Sequence, residues 1–208
     1  MTKRLSLLAL CAALPALAQS QDLSLMVSQF TPRDFKYTTQ TFSVDKPMGY
    51  GLRYAHDVTQ LWGGRLAVEG SWMLRTSGKD IKMNGVAYPG LSYRHEYMGL
   101  GASLTWTKGV DFGTALELRH EGNALRLEEP GGPSLETTRD FTRPWLSARV
   151  AYTFASVALK PHVGLEIAAP LASKTDDSIA SYGPFGEALL GQDLNPKFQI
   201  SLVGGIRF

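Results

Sequence analysis

Apolar and polar residues alternate along eight separate stretches of this chain. Such a period of two is typical of an extended strand, because successive side chains of a strand point to opposite faces. The last stretch, 198–208, has the roughly 9–11 residues that a tilted strand needs to cross a bilayer. The predicted strands are 22–30, 48–57, 64–76, 93–106, 111–121, 144–155, 157–169 and 198–208. Helical periodicity fits none of them as well, so the pattern predicts an all-β chain.

The connections between the predicted strands are alternately long and short. The short links are 58–63, 107–110 and Ser156. The long links, 31–47, 77–92, 122–143 and 170–196, carry Pro, Gly, Asp, Lys and Ser, as loops do. Short turns at one end and long loops at the other are the arrangement of bacterial outer-membrane barrels. We therefore predict an eight-stranded antiparallel transmembrane β-barrel with short periplasmic turns and long extracellular loops.

The two faces of the predicted strands differ in chemistry. One face is apolar, as lipid requires, because hydrocarbon offers no hydrogen bonds. The other face carries charged residues that are predicted to form a network in the lumen: Arg53, Arg65, Glu69, Arg75, Glu117, Arg119, Arg149, Lys160 and Glu166, with Arg207 beside them. Buried charges are tolerated when they pair, and an eight-stranded barrel is just wide enough for side chains to fill. We expect a plugged lumen and not an open pore.

Aromatic residues lie near the ends of the predicted strands, where a membrane barrel meets the two interfaces. Those near the short turns are Tyr54, Trp62, Trp106, Phe112, Tyr152, Phe154 and Phe208. Those near the long loops are Phe30, Tyr50, Trp72 and Phe198. The distribution predicts two aromatic girdles.

The closing strand, 198–208, has Phe208, Ile206, Leu202 and Ile200 on one face, interrupted by Gly204. It resembles the closing strand of bacterial outer-membrane β-barrels, which ends in Phe. The resemblance implies that Phe208, Ile206, Leu202 and Ile200 form the signal read by the barrel-assembly machinery.

A second resemblance lies in residues 159–166, which are similar to the Lys-Pro-aromatic-x-Gly stretch of small outer-membrane β-barrel families (OmpA-, OmpX- and OmpW-like and opacity-type proteins). The chain departs from that stretch at His162, where an aromatic residue is usual, and at Glu166, in a run that is usually Gly and aromatic. The resemblance implies the same small barrel fold and leaves the subfamily open.

Residues 1–18 have the pattern of a secretory signal peptide: a charged start, an apolar stretch and a small-x-small cleavage site at residues 16–18. The predicted division is a signal peptide over 1–18 and a barrel domain over 19–208. Cys11 is the only cysteine, so the predicted mature chain has none and no disulfide to stabilise it.

The charge balance of the predicted mature chain is close to neutral. Removing Lys3 and Arg4 from the 21 basic residues leaves 19, against 19 acidic residues. Such a balance argues against a nucleic-acid surface. No later stretch approaches the roughly 18 continuous apolar residues of a transmembrane helix.

Four histidines are the candidates for chemistry: His56, His95, His120 and His162. Their spacing is not that of a metal site, and no glycine-rich phosphate loop is present, so no metal or cofactor is predicted. We expect His95 to lie with Tyr97 and Glu121 inside the barrel near the long loops, as a packed residue. His120 with a loop serine would suit an enzyme that acts on lipid A, but the His-x-Ser arrangement of the lipid A deacylase barrels is absent.

Two of the long loops carry further patterns. Residues 34–42 alternate, which predicts a hairpin above the membrane, and residues 184–191 are compatible with a short helix.

Together these features predict a monomeric barrel in the bacterial outer membrane, without catalytic activity, whose role is structural or surface-interactive: envelope integrity, adhesion or resistance to host factors. The expected partners are outer-membrane lipids and lipopolysaccharide, the barrel-assembly machinery and an extracellular ligand of the loops. Two alternatives remain open. A lipid A-modifying hydrolase would lose activity on mutation of His95 or His120, and a transporter of small hydrophobic molecules would show uptake in liposomes.

Overall fold

The computed structural model describes residues 20–31, 35–37, 40–44, 46–78, 81–87, 90–127, 135–157, 159–172 and 196–208. The predicted signal peptide and the short helix predicted at 184–191 lie outside these residues. Among the described residues, no helix is long and apolar enough to cross a membrane.

The strands of the described residues are numbered in chain order from β1 to β12. Eight of them form the barrel: β1 (Gln21–Thr31), β4 (Met48–Leu61), β5 (Gly64–Gly78), β8 (Leu91–Lys108), β9 (Val110–Leu127), β10 (Leu135–Thr153), β11 (Pro161–Pro170) and β12 (Phe198–Arg207). The barrel closes in the order β1-β12-β11-β10-β9-β8-β5-β4, and every neighbouring pair is antiparallel. The predicted fold class is confirmed.

The two ends of the barrel differ, as the connection lengths predict. The short-turn end carries the tight turns at 62–63 and Gly109, and a further turn that includes residues 154–157 and 159–160. The first and last strands also meet there, because Gln21 and Phe208 exchange backbone hydrogen bonds of 2.7 and 2.9 Å. The opposite end is called the long-loop end.

Strand alternation sorts the side chains as predicted. Polar and charged residues such as Ser28, Glu69 and Glu166 are buried inside the barrel. The outer face of the strands exposes a continuous set of large apolar residues: Leu23, Leu25, Leu52, Val68, Leu74, Leu100, Leu116, Leu118, Leu146, Val150, Val163, Leu165, Ile167, Ile200 and Leu202. In water such a surface would be costly, whereas lipid requires it.

Two strands extend further than predicted toward the long-loop end. β9 continues to Leu127 and β10 begins at Leu135, and the two pair over their whole extension, from Leu135↔Leu127 downward. Residues 122–127 and 135–143, predicted to belong to a loop, are therefore strand. The sequence pattern does not predict this hairpin, because its outer face has none of the large apolar residues, such as Leu116 and Leu118, that mark a lipid-facing strand.

The strand predicted at 157–169 begins later than predicted. Val157 and Leu159 belong to the turn that precedes β11, and Lys160 has a φ of 35° and an exposed side chain. The prediction that Lys160 belongs to the lumen network is therefore wrong. The strand begins late because of Pro161, which has no N–H for the sheet and stands at the first position of β11.

Four short strands form a second sheet: β2 (Phe35–Tyr37), β3 (Gln40–Val44), β6 (Ile81–Met83) and β7 (Val86–Ala87), in that order. We call this sheet the loop platform. Its β2–β3 hairpin confirms the hairpin predicted in loop one. The pairing of β3 with β6 joins two loops that are distant in sequence, and no local pattern predicts it. Val44 and Ile81 are buried within it.

Phe30 does not belong to an aromatic girdle, so this part of the prediction is wrong. Its ring is fully buried inside the barrel, 4.8 Å from the ring centroid of His95. The reason is the alternation of β1, which places Phe30 on the same face as Ser24, Met26 and Ser28.

Leu165 points outward halfway along β11, so a charged residue at this position is expected to lie in the hydrocarbon and to destabilise the barrel. In lipid vesicles, Leu165→Arg is expected to lower the free energy of unfolding by about 2–4 kcal/mol, the cost of a cation near the bilayer midplane. Leu165→Ala serves as the control for lost apolar area, and urea titration measures both variants. Equal losses for Arg and Ala would contradict a lipid-facing position.

Candidate functional site: the polar lumen

The structure places most of the predicted network residues inside the barrel. Arg53, Glu69, Glu117, Arg119 and Glu166 are all buried. The Arg149 side chain is 15% exposed and that of Arg65 is 25% exposed, since Arg65 lies closer to the short-turn end. The side chain of Arg75 lies outside the described residues.

Four charged residues meet at the middle of the lumen, and we call them the central ion pairs: Arg53, Glu69, Arg149 and Glu166. Arg149 on β10 donates two hydrogen bonds of 2.6 Å to the Glu69 carboxylate on β5. It also donates to Glu166 on β11, which accepts a further hydrogen bond from Arg53 on β4. β5 and β11 stand four strands apart in the ring, so the contacts cross the lumen.

A second polar layer lies toward the long loops and centres on Arg119. Its Nε donates to Glu117 at 2.5 Å, and its Nη1 donates to the Gln199 side-chain oxygen at 2.5 Å. Glu117 also accepts a hydrogen bond from the Ser71 hydroxyl. This last contact passes over Gly99, where a Cβ atom would lie 2.5 Å from the Glu117 Oε1 atom. A larger residue at that point of β8 would displace the Glu117 and Ser71 side chains from this contact.

Arginine and aromatic side chains form a continuous stack in the same half of the lumen. The Arg119 guanidinium lies 4.2 Å from the Tyr97 ring centroid and 4.5 Å from that of Trp145. Arg143 follows, 4.9 Å from Trp145 and 5.2 Å from Phe141. We call this set the arginine–aromatic stack. Such cation–π contacts gain strength when they are removed from water.

The carboxylate of Glu121 balances the charge of Arg143 beside the stack. It accepts hydrogen bonds of 2.6 and 2.9 Å from Arg143 and one of 2.5 Å from the Trp145 indole. His95 lies 3.9 Å from Glu121 and is hydrogen bonded to Asn123 at 2.8 Å. The convergence of His95, Tyr97 and Glu121 is as predicted, and His95 is fully buried.

The short-turn end of the lumen holds a looser group of charges. Arg207 lies 3.3 Å from Asp111 and 3.6 Å from Asp22. His162 lies 3.6 Å from Asp22 and 3.2 Å from the Ser24 hydroxyl. A cavity of about 80 Å³ opens among these residues.

Sequence reasoning missed several interior residues of the long-loop half: Arg143, Trp145, Gln199 and Asn123. The alternation that places Ser147 and Arg149 inside also points inward at Trp145 and Arg143, two and four positions earlier. Trp145 lies within the predicted strand 144–155, and extending the pattern by one residue toward the long loops would have found Arg143. Gln199 and Asn123 are uncharged, and a search for charges passes over them.

His120 lies on the opposite face of β9 from Arg119, and its side chain is exposed. Its Nδ1 lies 3.0 Å from the Thr142 hydroxyl, so the partner in the described residues is a strand threonine and not a loop serine. Among those residues, no group of three or more His, Cys, Asp or Glu side chains is arranged to hold a metal ion.

A closed eight-stranded barrel with an apolar outer face and paired charges inside has the fold of the small outer-membrane β-barrels. No family model matches the sequence, and no curated protein matches it. Solved structures are similar to it. The attachment invasion locus protein Ail of Yersinia pestis, in complex with the heparin analogue sucrose octasulfate, is 16% identical with a TM-score of 0.52, over 91% of this chain and 99% of Ail. A major outer membrane protein from Thermus thermophilus is 12% identical with a TM-score of 0.58, over 92% of this chain and 100% of that protein.

We expect removal of a buried arginine of the central ion pairs to destabilise the barrel far more than removal of an exposed arginine. Arg149→Met is expected to lower the free energy of unfolding by about 3–5 kcal/mol, because it leaves buried carboxylates without their main partner. Arg94→Met, which removes an exposed pair with Glu136, should cost less than about 1 kcal/mol. Urea titration in detergent micelles measures both variants.

A double mutant completes this test. The double mutant Arg149→Met, Glu69→Gln should lose less free energy of unfolding than the sum of the losses in the two single mutants, because the two residues interact directly. Strict additivity would show that the ion pair does not stabilise the barrel.

Proposed function

We propose that the protein is a monomeric barrel of the bacterial outer membrane, with a plugged lumen and no catalytic activity, and that it acts through its long-loop end as a surface-interaction protein. The loop platform carries this proposal. It is a folded sheet at the long-loop end, built from two loops, whereas a loop that only closes a barrel needs no tertiary structure. Order at a loop tip is typical of a binding surface held on a rigid scaffold.

The contacts of the platform support a stable shape. β3 pairs with β6 from Phe42↔Met83 to Val44↔Ile81, so the two loops hold each other by backbone hydrogen bonds. Ile81 is fully buried, although it lies outside the apolar belt. The similar fold of Ail, an attachment invasion locus protein seen with a bound heparin analogue, supports an extracellular ligand for this end.

The rest of the proposal concerns targeting and the membrane. Residues 1–18 would be removed on export, and Phe208, Ile206, Leu202 and Ile200 would be read by the assembly machinery. The outward exposure of Leu202 and Ile200 in β12 supports their contact first with that machinery and later with outer-membrane lipids. Lipopolysaccharide would contact the same belt near the long loops.

A lipid A-modifying hydrolase is the second candidate. The contact between His120 and Thr142 favours it, because a base and a hydroxyl lie together on an outward face. An activated nucleophile also requires a third group that orients the histidine, and no such contact of His120 is found in the described part of the chain. His95, by contrast, is enclosed and has no path to a lipid.

The plugged lumen predicts the absence of conductance in planar bilayers. Two layers fill the lumen in series, the central ion pairs and the arginine–aromatic stack, so opening one layer leaves the other closed. Glu69→Ala is therefore expected to destabilise the protein without creating a steady channel. A steady conductance of the unmodified protein would contradict the plug and favour the transport alternative.

The surface role predicts that adhesion depends on the loop platform. Ile81→Asp places a charge in the buried part of the platform and is expected to abolish adhesion to cultured epithelial cells by bacteria that produce the protein. Gln60→Asp, at the short-turn end, is the control and should leave adhesion unchanged. Heat-modifiable migration in detergent gels verifies that both variants form the barrel. Equal adhesion by Ile81→Asp and the unmodified protein would overturn the proposed role.

A further inference from the structure

The β6–β7 hairpin of the loop platform is closed by the dipeptide Asn84-Gly85. The two strands pair directly beside it at Met83↔Val86, so only two residues form the loop between them. Asn84 has a φ of 51° and Gly85 a φ of 84°. Two positive φ angles in a two-residue loop define a type I′ turn, and Asn-Gly is a pair that such a turn prefers. The turn therefore accounts for both residue types at this point.

The same two residues can react with each other. When the backbone nitrogen of Gly85 attacks the Cγ atom of Asn84, the new C–N bond closes a cyclic imide, and the side-chain nitrogen leaves as ammonia with the proton of the Gly85 nitrogen. Water then opens the imide at one of its two carbonyl carbons. Opening at Cγ gives aspartate, and opening at the backbone carbonyl gives isoaspartate, in which the chain continues through the side chain.

The surroundings of the hairpin leave room for this attack. Gly85 has no side chain to shield its nitrogen, and no described atom beyond its chain neighbours lies within 4 Å of the position that a Cβ atom would take. Asn84 and Gly85 are both exposed, and Val86 beside them is 72% exposed. Water therefore reaches the tip of the hairpin, where it is needed for the second step.

The turn has to open before the imide can form, because the ring requires a different rotation about the Asn84 Cα–C bond from that of a type I′ turn. Opening is easy at this place. β7 (Val86–Ala87) has two exposed residues, and it stands at the edge of the platform, where β6 is its neighbour in the sheet. A two-stranded hairpin is at best marginally stable in water, and such a unit opens locally while the barrel stays folded.

We propose that Asn84-Gly85 is a site of spontaneous modification, at which the folded protein loses the Asn84 amide and forms aspartate and isoaspartate, with water as the only other reactant. Of the three asparagines of the chain, Asn84 alone is followed by glycine. Asn123 provides the contrast, because it is 2% exposed and accepts a hydrogen bond of 2.7 Å from the Tyr93 hydroxyl.

The modification changes the hairpin in two ways. Either product adds a negative charge at the tip, next to the strand that carries Lys82. Isoaspartate also lengthens the backbone of a loop that is built for two residues, and the pairing of Met83 with Val86 depends on that length. The surface that the loop platform presents is therefore altered irreversibly. The reaction does not depend on what the platform binds, so it goes beyond the proposed function.

The unmodified protein serves for the test. Folded barrel in detergent micelles and the same chain in urea are incubated at mildly alkaline pH, where the attacking nitrogen loses its proton more easily. The tryptic peptides 83–94 and 120–126 contain Asn84 and Asn123 separately. Mass spectrometry measures the loss of each amide, chromatography separates the aspartate and isoaspartate forms, and a sample digested at time zero gives the background.

The expected result is that Asn84 in the folded barrel reacts within about tenfold of its rate in urea, because the hairpin opens locally, whereas Asn123 reacts measurably only in urea. A folded rate at Asn84 that is lower than this would overturn the proposal, because the turn would then protect the amide. Gly85→Asp keeps a residue that tolerates a positive φ and should lose most of the reaction. An unchanged rate in this variant, with heat-modifiable migration showing a folded barrel, would also overturn the proposal.

Discussion

Hydrocarbon cannot form hydrogen bonds, and the rest of the structure follows from that constraint. Each backbone group of a spanning strand needs a partner strand, so the sheet has to close on itself. Here β1 and β12 complete the ring, from Asp22↔Arg207 to Thr31↔Phe198. The same constraint sorts the side chains. Leu165 and Glu166 are neighbours in sequence, yet one is 52% exposed on the outer face and the other is 1% exposed inside.

The charges that cannot face lipid have to be compensated inside. At the centre, Arg149 joins Glu69 and Glu166 across the lumen. Toward the long loops, arginines lie between aromatic rings, and Glu117 and Glu121 each accept a hydrogen bond from an arginine. Toward the short turns, the pairs are longer and a cavity remains. The lumen is therefore tightly packed toward the long loops and holds a polar cavity toward the short turns, and the loop platform lies beyond the packed end.

The barrel itself was predictable because lipid forces a strict period of two on the outer face. The same rule located Glu69, Arg149 and Glu166 in the lumen. It failed where lipid no longer constrains the pattern: in the extension of β9 and β10, in the turn that contains Lys160, and in the pairing of β3 with β6. The girdle prediction for Phe30 is wrong because nearness to a strand end does not specify which face of the strand carries the side chain, and Phe30 lies on the inward face of β1. Side-chain partners such as Gln199 depend on three-dimensional packing, which alternation alone does not specify.

One face of each barrel strand contacts lipid, and the other face lines the lumen. Spin labels at Leu202 and Val203, adjacent residues near the middle of β12 that are 53% and 5% exposed, test it directly in bilayers. Power-saturation electron paramagnetic resonance compares access of oxygen, which partitions into lipid, with access of a water-soluble nickel chelate. We predict high oxygen and low nickel access at position 202, and low access of both at position 203. High nickel access at position 202, or oxygen access at position 203 equal to that at 202, would contradict the account.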